Sequence, residues 1–325
     1  MDPIDFAIYR FLSEGGEARF WAGRRAIDPR ATPRAISEKV GVSESGVRGR
    51  LRRLAEQGFL RDRAVVPNPS LFGHQLFVAD LWVRQSREVD RILRDLALVD
   101  GVVFTRDILD EDERKIQVHF VAESDASAAR RAALIGRLSL ADRPILPRPY
   151  YIPAHASPLS PIDWKVLKSL WQQPEATFAE LGKAVQISLK SAARSFHRLL
   201  EGRACWWTHG PRSEEFPLAL VWADLARPQV RESILGWVDT AHLSWMPVAS
   251  DGFGLEPERS LSVLAGLVPA DVPTALERHL RELAGLEGVT RVRRTFALGS
   301  AVYPNWFGER LSSAASGRGK GPGRG

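Results

Sequence analysis

The chain has 325 residues, 44% of them hydrophobic and 26% charged, which is enough for two or more folded domains with ordinary globular cores. No apolar run reaches the roughly 18 residues of a membrane span, the N-terminus MDPIDFAIYR carries acids where a secretory leader carries bases, and a single cysteine, Cys205, excludes an internal disulfide or a cysteine-built zinc site. The expectation is a cytoplasmic protein with no membrane contact, metal or cofactor.

The formal net charge is +6. Residues 24–63 alone hold eleven Lys and Arg against five Asp and Glu, so the positive excess sits in one N-terminal block. Such asymmetry points to a polyanion partner.

In chain order, DPIDFAIYRFL (residues 2–12) opens as a helix, with Asp2 as cap, Pro3 in the first turn and Asp5 where an acid suits the helix dipole. Residues 15–31, rich in glycine and arginine, read as a loop. The next segment, TPRAISEKVGVSESGVRGRLRRLAEQGFL (residues 32–60), carries the chemistry. Thr32 and Pro33 start a short helix, Gly41 permits a tight turn, Ser43 caps a second helix, and Gly58 ends it. On that second helix Val47, Leu51 and Leu54 share one face, while Ser45, Arg48, Gly49 and Arg52 project from the other. Two helices joined by a glycine turn, the second with an arginine-bearing outer face, form a helix-turn-helix whose second helix fits the major groove. The alternation in FLRDRAVV (residues 59–66) puts Arg61 and Arg63 on one side of a wing strand. The candidate DNA contacts of this unit are Ser43, Ser45, Arg48, Gly49, Arg52, Arg53, Arg61 and Arg63.

Strand and helix signals then alternate as β (75–83), α (86–97), β (101–109), β (114–121), α (125–138) and β (145–152), the βαββαβ order of ferredoxin-like folds. A proline-rich link, residues 147–161, follows, and the pattern starts again. Residues 2–12 match SPIDWKVLKSL (160–170) at a shift of 158, residues 32–56 match 177–201 at a shift of 145, and VADL (78–81) matches WADL (222–225) at 144. The second copy continues with β (217–226), α (228–238), β (241–249), β (259–267), α (271–285) and β (289–298). Its helix-turn-helix keeps an inward stripe of Ala192, Phe196 and Leu199, but the outward sites now hold Lys190, Ala193, Arg194 and His197, and ACWWTHGPR (204–212) replaces the wing. Lys190, Arg194 and His197 are its candidate DNA contacts.

The expected fold class is α+β, with two winged helix-turn-helix domains each followed by a ferredoxin-like sensor domain. The boundaries are 1–72 and 73–156 for the first unit, 157–213 and 214–308 for the second, and 309–325 for a disordered basic tail. Eight of the ten tryptophans lie beyond residue 160, among them Trp206, Trp207, Trp222, Trp237 and Trp245, and packing is the simplest role for them. The seven histidines show no HxxxH or HExxH spacing, and no GxSxG, Walker or GxGxxG signature appears, so the chain reads as a non-enzyme.

The opening helix, residues 32–60 and the connector VVPNPSLFG (65–73) together resemble the Lrp/AsnC family of transcription regulators. The resemblance covers the first 150 residues directly and the remainder through the repeat. It implies that the helix-turn-helix binds double-stranded DNA and that the ferredoxin-like domains mediate dimerisation. A tandem chain would then be a covalent pseudo-dimer, able to assemble further with copies of itself. The family's sensor domains commonly bind amino acids at a glycine-rich turn between the middle strands, whereas RDILDEDERK (106–115) holds no glycine there. The second functional class is a siroheme-decarboxylase-like enzyme, since such enzymes resemble paired AsnC-type units; their arginine-rich wing followed by a histidine has no match at the corresponding position, and His74, just after Gly73, would have to substitute. Without the glycine turn, free amino acids should not act as effectors: calorimetry across the common amino acids should give no binding heat, and micromolar binding of any one would refute this.

Overall fold

The computed structural model describes residues 3–13, 32–57, 60, 64–110, 113–138, 143–150, 152, 154–208, 218–227, 229–230, 233–234, 237, 260–265 and 272–316. The loop 15–31, Gly58, Arg61, Arg63, the turn centre 111–112, most of the expected helix 228–238, the expected strand 241–249 and residues 317–325 lie outside that set. None of the described helices is long and apolar enough to cross a membrane.

Three helices open the chain: α1 (Pro3–Ser13), α2 (Pro33–Val40) and α3 (Glu44–Glu56). Their small core is built around Ile8, Leu12, Ile36, Val47 and Leu54. Strand β1 (Ala64–Pro67) and a 3-10 turn over Pro69–Phe72 lead into β2 (Gln75–Val83), α4 (Val89–Leu96), β3 (Val102–Asp110), β4 (Glu113–Ala122), α5 (Asp125–Gly136) and the short β5 (Arg148–Tyr150). The second unit repeats the three helices as α6 (Pro161–Gln172), α7 (Phe178–Val185) and α8 (Leu189–Glu201), then runs through β6 (Cys205–Thr208), β7 (Leu218–Leu225), β8 (Ser260–Ala265), α9 (Val272–Ala284), β9 (Val289–Val302) and α10 (Asn305–Ala315).

In the first unit the antiparallel order is β5-β2-β4-β3, the ferredoxin-like arrangement that the βαββαβ order implies. Period-2 alternation turns Phe77, Ala79 and Leu81 of β2 and Ile116, Val118 and Phe120 of β4 toward α4 and α5, whose Ile92, Leu96, Ala132 and Ile135 close the core. The two units do not form separate sheets. Edge strand β3 pairs antiparallel with β9 from Phe104↔Val302 to Leu109↔Phe296, giving one seven-stranded sheet in the order β5-β2-β4-β3-β9-β7-β8. Strand β9 serves two neighbours: Val289–Ala297 lies beside β7 and Phe296–Val302 beside β3. That second partner explains why it outruns the expected 289–298.

A second ladder joins the units. Of the expected wing over residues 59–66, the described strand covers Ala64–Pro67 and pairs with Cys205–Thr208 of the second unit, from Ala64↔Thr208 to Pro67↔Cys205. An edge strand left unpaired presents a row of open donors and acceptors, and here each connector covers the other. The expected disordered tail over 309–325 also needs correction. Residues 305–315 are helical because Trp306, Phe307 and Leu311 are buried, which supplies the apolar contacts that a bare tail lacks.

The duplication extends to buried ion pairs. Asp5, 3% exposed, receives Arg50 at 2.7 Å and Arg53 at 2.5 Å, tying α1 to α3. In the second unit Asp163, also 3% exposed, receives Ser195 Oγ at 2.5 Å and Arg198 at 2.7 Å, while its other oxygen accepts from Ser160. Arg53 and Arg198 stand at the shift of 145, and Ser195 occupies the place of Arg50. Within the sheet, Asp80–Arg148 (3.1 Å) recurs as Asp224–Arg293 (3.0 Å).

Burial alone would raise the Asp163 carboxyl, but the hydrogen bonds from Ser160, Ser195 and Arg198 together hold it below its ordinary value. A depressed folded-state value contributes stability above the unfolded carboxylate's titration, near pH 4, that is lost as pH falls through the folded value. Arg198 is half exposed and screened by solvent, so most of the effect belongs to the serine bonds. Asp163→Ala should therefore cost about 2–3 kcal/mol at neutral pH and flatten the acid limb of the stability profile. Urea unfolding of both forms from pH 3 to 7 checks this, and equal acid dependence in the two would contradict it.

Candidate nucleic-acid interface

In the first helix-turn-helix, Thr32 Oγ1 accepts from the Ala35 amide at 3.2 Å and Pro33 fills the first turn. Gly41 then adopts φ 75°, the left-handed conformation that lets the chain reverse after one short helix. Ser43 accepts from the Gly46 amide at 3.2 Å and starts α3. Val47 and Leu54 are fully buried, which turns Ser45, Arg48, Gly49 and Arg52 to the exposed side. Arg48 meets Glu44 at 2.5 Å, but both side chains are largely exposed, so the pair is weak and its guanidinium is available to a stronger anion. A Cβ built on Gly49 has nothing within 4 Å, so its absence leaves a shallow place on the outer face rather than serving internal packing.

Arg53 is different. Its place in the basic run suggests a DNA contact, but its Nη2 is bound to the buried carboxylate of Asp5 at 2.5 Å. Part of its charge is committed to holding α1 on α3. Arg61 and Arg63 fall outside the described residues.

The second unit reproduces this backbone. Thr177 and Glu180 form a reciprocal capping box, and Ser188 caps α8 where Ser43 caps α3. Helices α3 and α8 each span 13 residues, at a constant shift of 145. At the turn, Gln186 takes φ 59° where the first unit has Gly41, so the reversal persists although a side chain now opposes it by about 1 kcal/mol. Lys190, Arg194 and His197 are exposed on α8, and the His197 ring lies 6.1 Å from that of Phe178 and 5.6 Å from that of Phe196. The two outer faces are therefore alike in frame and unlike in chemistry.

Some residues gained meaning only in the structure. On the sheet face turned away from the helices, β4 buries Lys115, Gln117 and His119, with Asp80 and Arg148 beside them. Lys115 Nζ lies 3.4 Å from Asp80, and His119 Nε2 lies 3.1 Å from Gln117 Oε1. Burial, then the charges of Arg106 and Arg148, push His119 down to about 3, so it is a neutral ring. His74 has its two ring nitrogens 2.7 Å from the Phe72 carbonyl and 2.9 Å from the Glu123 carboxylate, with the edge of Trp306 against it. Cys205 is buried, which raises its thiol and leaves it unreactive. Among the described residues no group of three or more His, Cys, Asp or Glu is placed to hold a metal ion.

The winged helix-turn-helix DNA-binding family matches residues 1–61. An HTH-type transcriptional regulator of Pyrococcus horikoshii is 30% identical over 97 residues, 30% of this chain and 53% of that protein. An HTH-type transcriptional regulator of Pyrococcus abyssi is 28% identical over 102 residues, 31% of this chain and 56% of that protein. The chain thus spans about half the length of the curated relatives it matches. Among solved structures, the siroheme decarboxylase NirDL aligns over 96% of this chain and 99% of its own at 13% identity and a TM-score of 0.47. An AsnC family transcriptional regulator from Agrobacterium tumefaciens aligns over 50% and 99% at 19% identity and 0.34. The chain carries an N-terminal winged helix-turn-helix DNA-binding domain and is a relative of HTH-type transcriptional regulators, in line with its Lrp/AsnC resemblance.

Proposed function

We propose that the protein is a sequence-specific DNA-binding transcription regulator of Lrp/AsnC type in which one chain acts as a covalent pseudo-dimer. The observation that carries this reading is the repeated reader geometry: two capped 13-residue helices, α3 and α8, with basic outer faces. Arg48 and Arg52 on α3 meet phosphates or guanine edges, and Gly49 lets the duplex approach the helix closely. Lys190, Arg194 and His197 on α8 contact a second stretch of different sequence. The β1–β6 and β3–β9 ladders support the pseudo-dimer, because they join the two units by the backbone pairing that separate subunits would need a partner to make. Unlike faces imply an asymmetric operator.

A second reading, a siroheme-decarboxylase-like enzyme, draws on the buried polar row of Lys115, Gln117 and His119, which a purely structural sheet does not require. A Soret band in the purified protein would favour it.

Binding through phosphates releases condensed counterions, so affinity should fall steeply with salt. Arg48→Ala with Arg52→Ala should weaken binding at moderate salt by tenfold or more and reduce the slope of log K against log salt by about 2. Gel shifts over a salt series measure both, and an unchanged slope and affinity would remove α3 from the interface.

A further inference from the structure

The two helix-turn-helix units are supported unequally. Among the described residues, the core of the first is built from residues between 4 and 60. The core of the second also takes in Val65 and Leu71 from the connector and Leu311 from α10. Helix α10 lies along α6 and reaches β3 of the first unit's sheet. Its Trp306 and Phe307 join Leu76, Val103 and Val121 in a separate cluster against which Phe72 and Trp171 pack. The Phe72 ring lies 5.6 Å from Trp164 of α6 and 5.4 Å from Trp306, so aromatic contacts run from α6 through the connector to α10. Gly308 faces α6 tightly: a Cβ there would stand 2.8 Å from the Trp171 ring, which packs against both clusters.

We infer that Trp306, Phe307 and Gly308 are positioning residues for DNA recognition: by seating α10 between α6 and the first sheet, they fix the orientation of the second recognition helix, α8, and so set the separation of the two DNA contacts. The inference rests on the reading that both units contact DNA. Helices α3 and α8 each lead into one strand of the β1–β6 ribbon, so the ribbon sets how far apart they stand, and α10 sets the angle of the second. Among the described residues, the core of the first unit takes in none from the sheet domains, so this control is assigned to the second reader.

The test uses the full chain, its Gly308→Leu variant, which wedges against Trp171, and a Trp306→Ala variant, which empties the seat without a clash. Each is assayed on duplexes in which the spacing between the two contacted sequences varies by single base pairs. Hydrogen exchange reports whether α10 is released. The parent should prefer one spacing by about tenfold, and the released variants should lose that preference to about twofold while keeping the parent's affinity for a duplex carrying only the first unit's sequence. An unchanged preference with α10 released overturns the inference. So does an α10 that stays protected in both variants, since the seat would then not depend on these side chains. Failure of the underlying reading looks different: Lys190→Ala with Arg194→Ala would leave the second contact intact, whatever the state of α10.

Discussion

The β3–β9 ladder is the constraint on which the rest of the architecture depends. A four-stranded ferredoxin-like sheet leaves β3 as an open edge, and an edge must be covered, charged or paired to keep the protein from adding strands of other chains. Here the last strand of the second unit does the covering. Because β9 is already paired with β7, its extension past Phe296 fuses two half-sheets into one and fixes the register between the units. The β1–β6 ribbon is a second antiparallel ladder between the same two units. Loss of the β3–β9 ladder would leave the β1–β6 ribbon and the α10 contacts to hold the halves together, without the fixed register between their sheets.

Fusion also lets the copies diverge. Two separate subunits of one sequence must present identical recognition helices, whereas a tandem chain is free of that symmetry. The first unit keeps a glycine turn, an arginine pair on its outer face and a core whose described members all lie between residues 4 and 60. The second holds the same turn with Gln186, spreads its charge over Lys190, Arg194 and His197, and shares its core with the connector and α10. The duplication preserves the buried Asp that ties the first helix of each unit to the third, Asp5 in one copy and Asp163 in the other. A buried carboxylate stripped of its partners is strongly destabilising, which is a physical reason for both copies to retain it.

Much of this was legible in the sequence because it is local. Caps such as Thr32, Ser43 and Thr177, the Gly41 turn, and the inward stripes of α3 and α8 act within a few residues of one another, and period-2 alternation marked the strands of the first sheet. What was not legible depends on contacts between distant segments. Nothing near Val65 reveals that Trp207 will be its partner, or that β9 continues past residue 298 to reach β3. Asp5 reads as a first-turn acid and Arg53 as a surface base until their 48-residue separation closes to a hydrogen bond. Helix α10 was hidden beside a glycine- and arginine-rich terminus, although Trp306, Phe307 and Leu311 at helical spacing were the signal that could have found it.

A covalent pseudo-dimer with two unlike outer faces fixes the stoichiometry and symmetry of its DNA complex. Hydroxyl-radical footprinting of a selected operator, with native mass spectrometry of the same complex, should find one chain per duplex. It should protect two patches of unlike sequence on one face, about 10 base pairs apart. Two chains bound to an inverted repeat, each protecting a single identical patch, would contradict it.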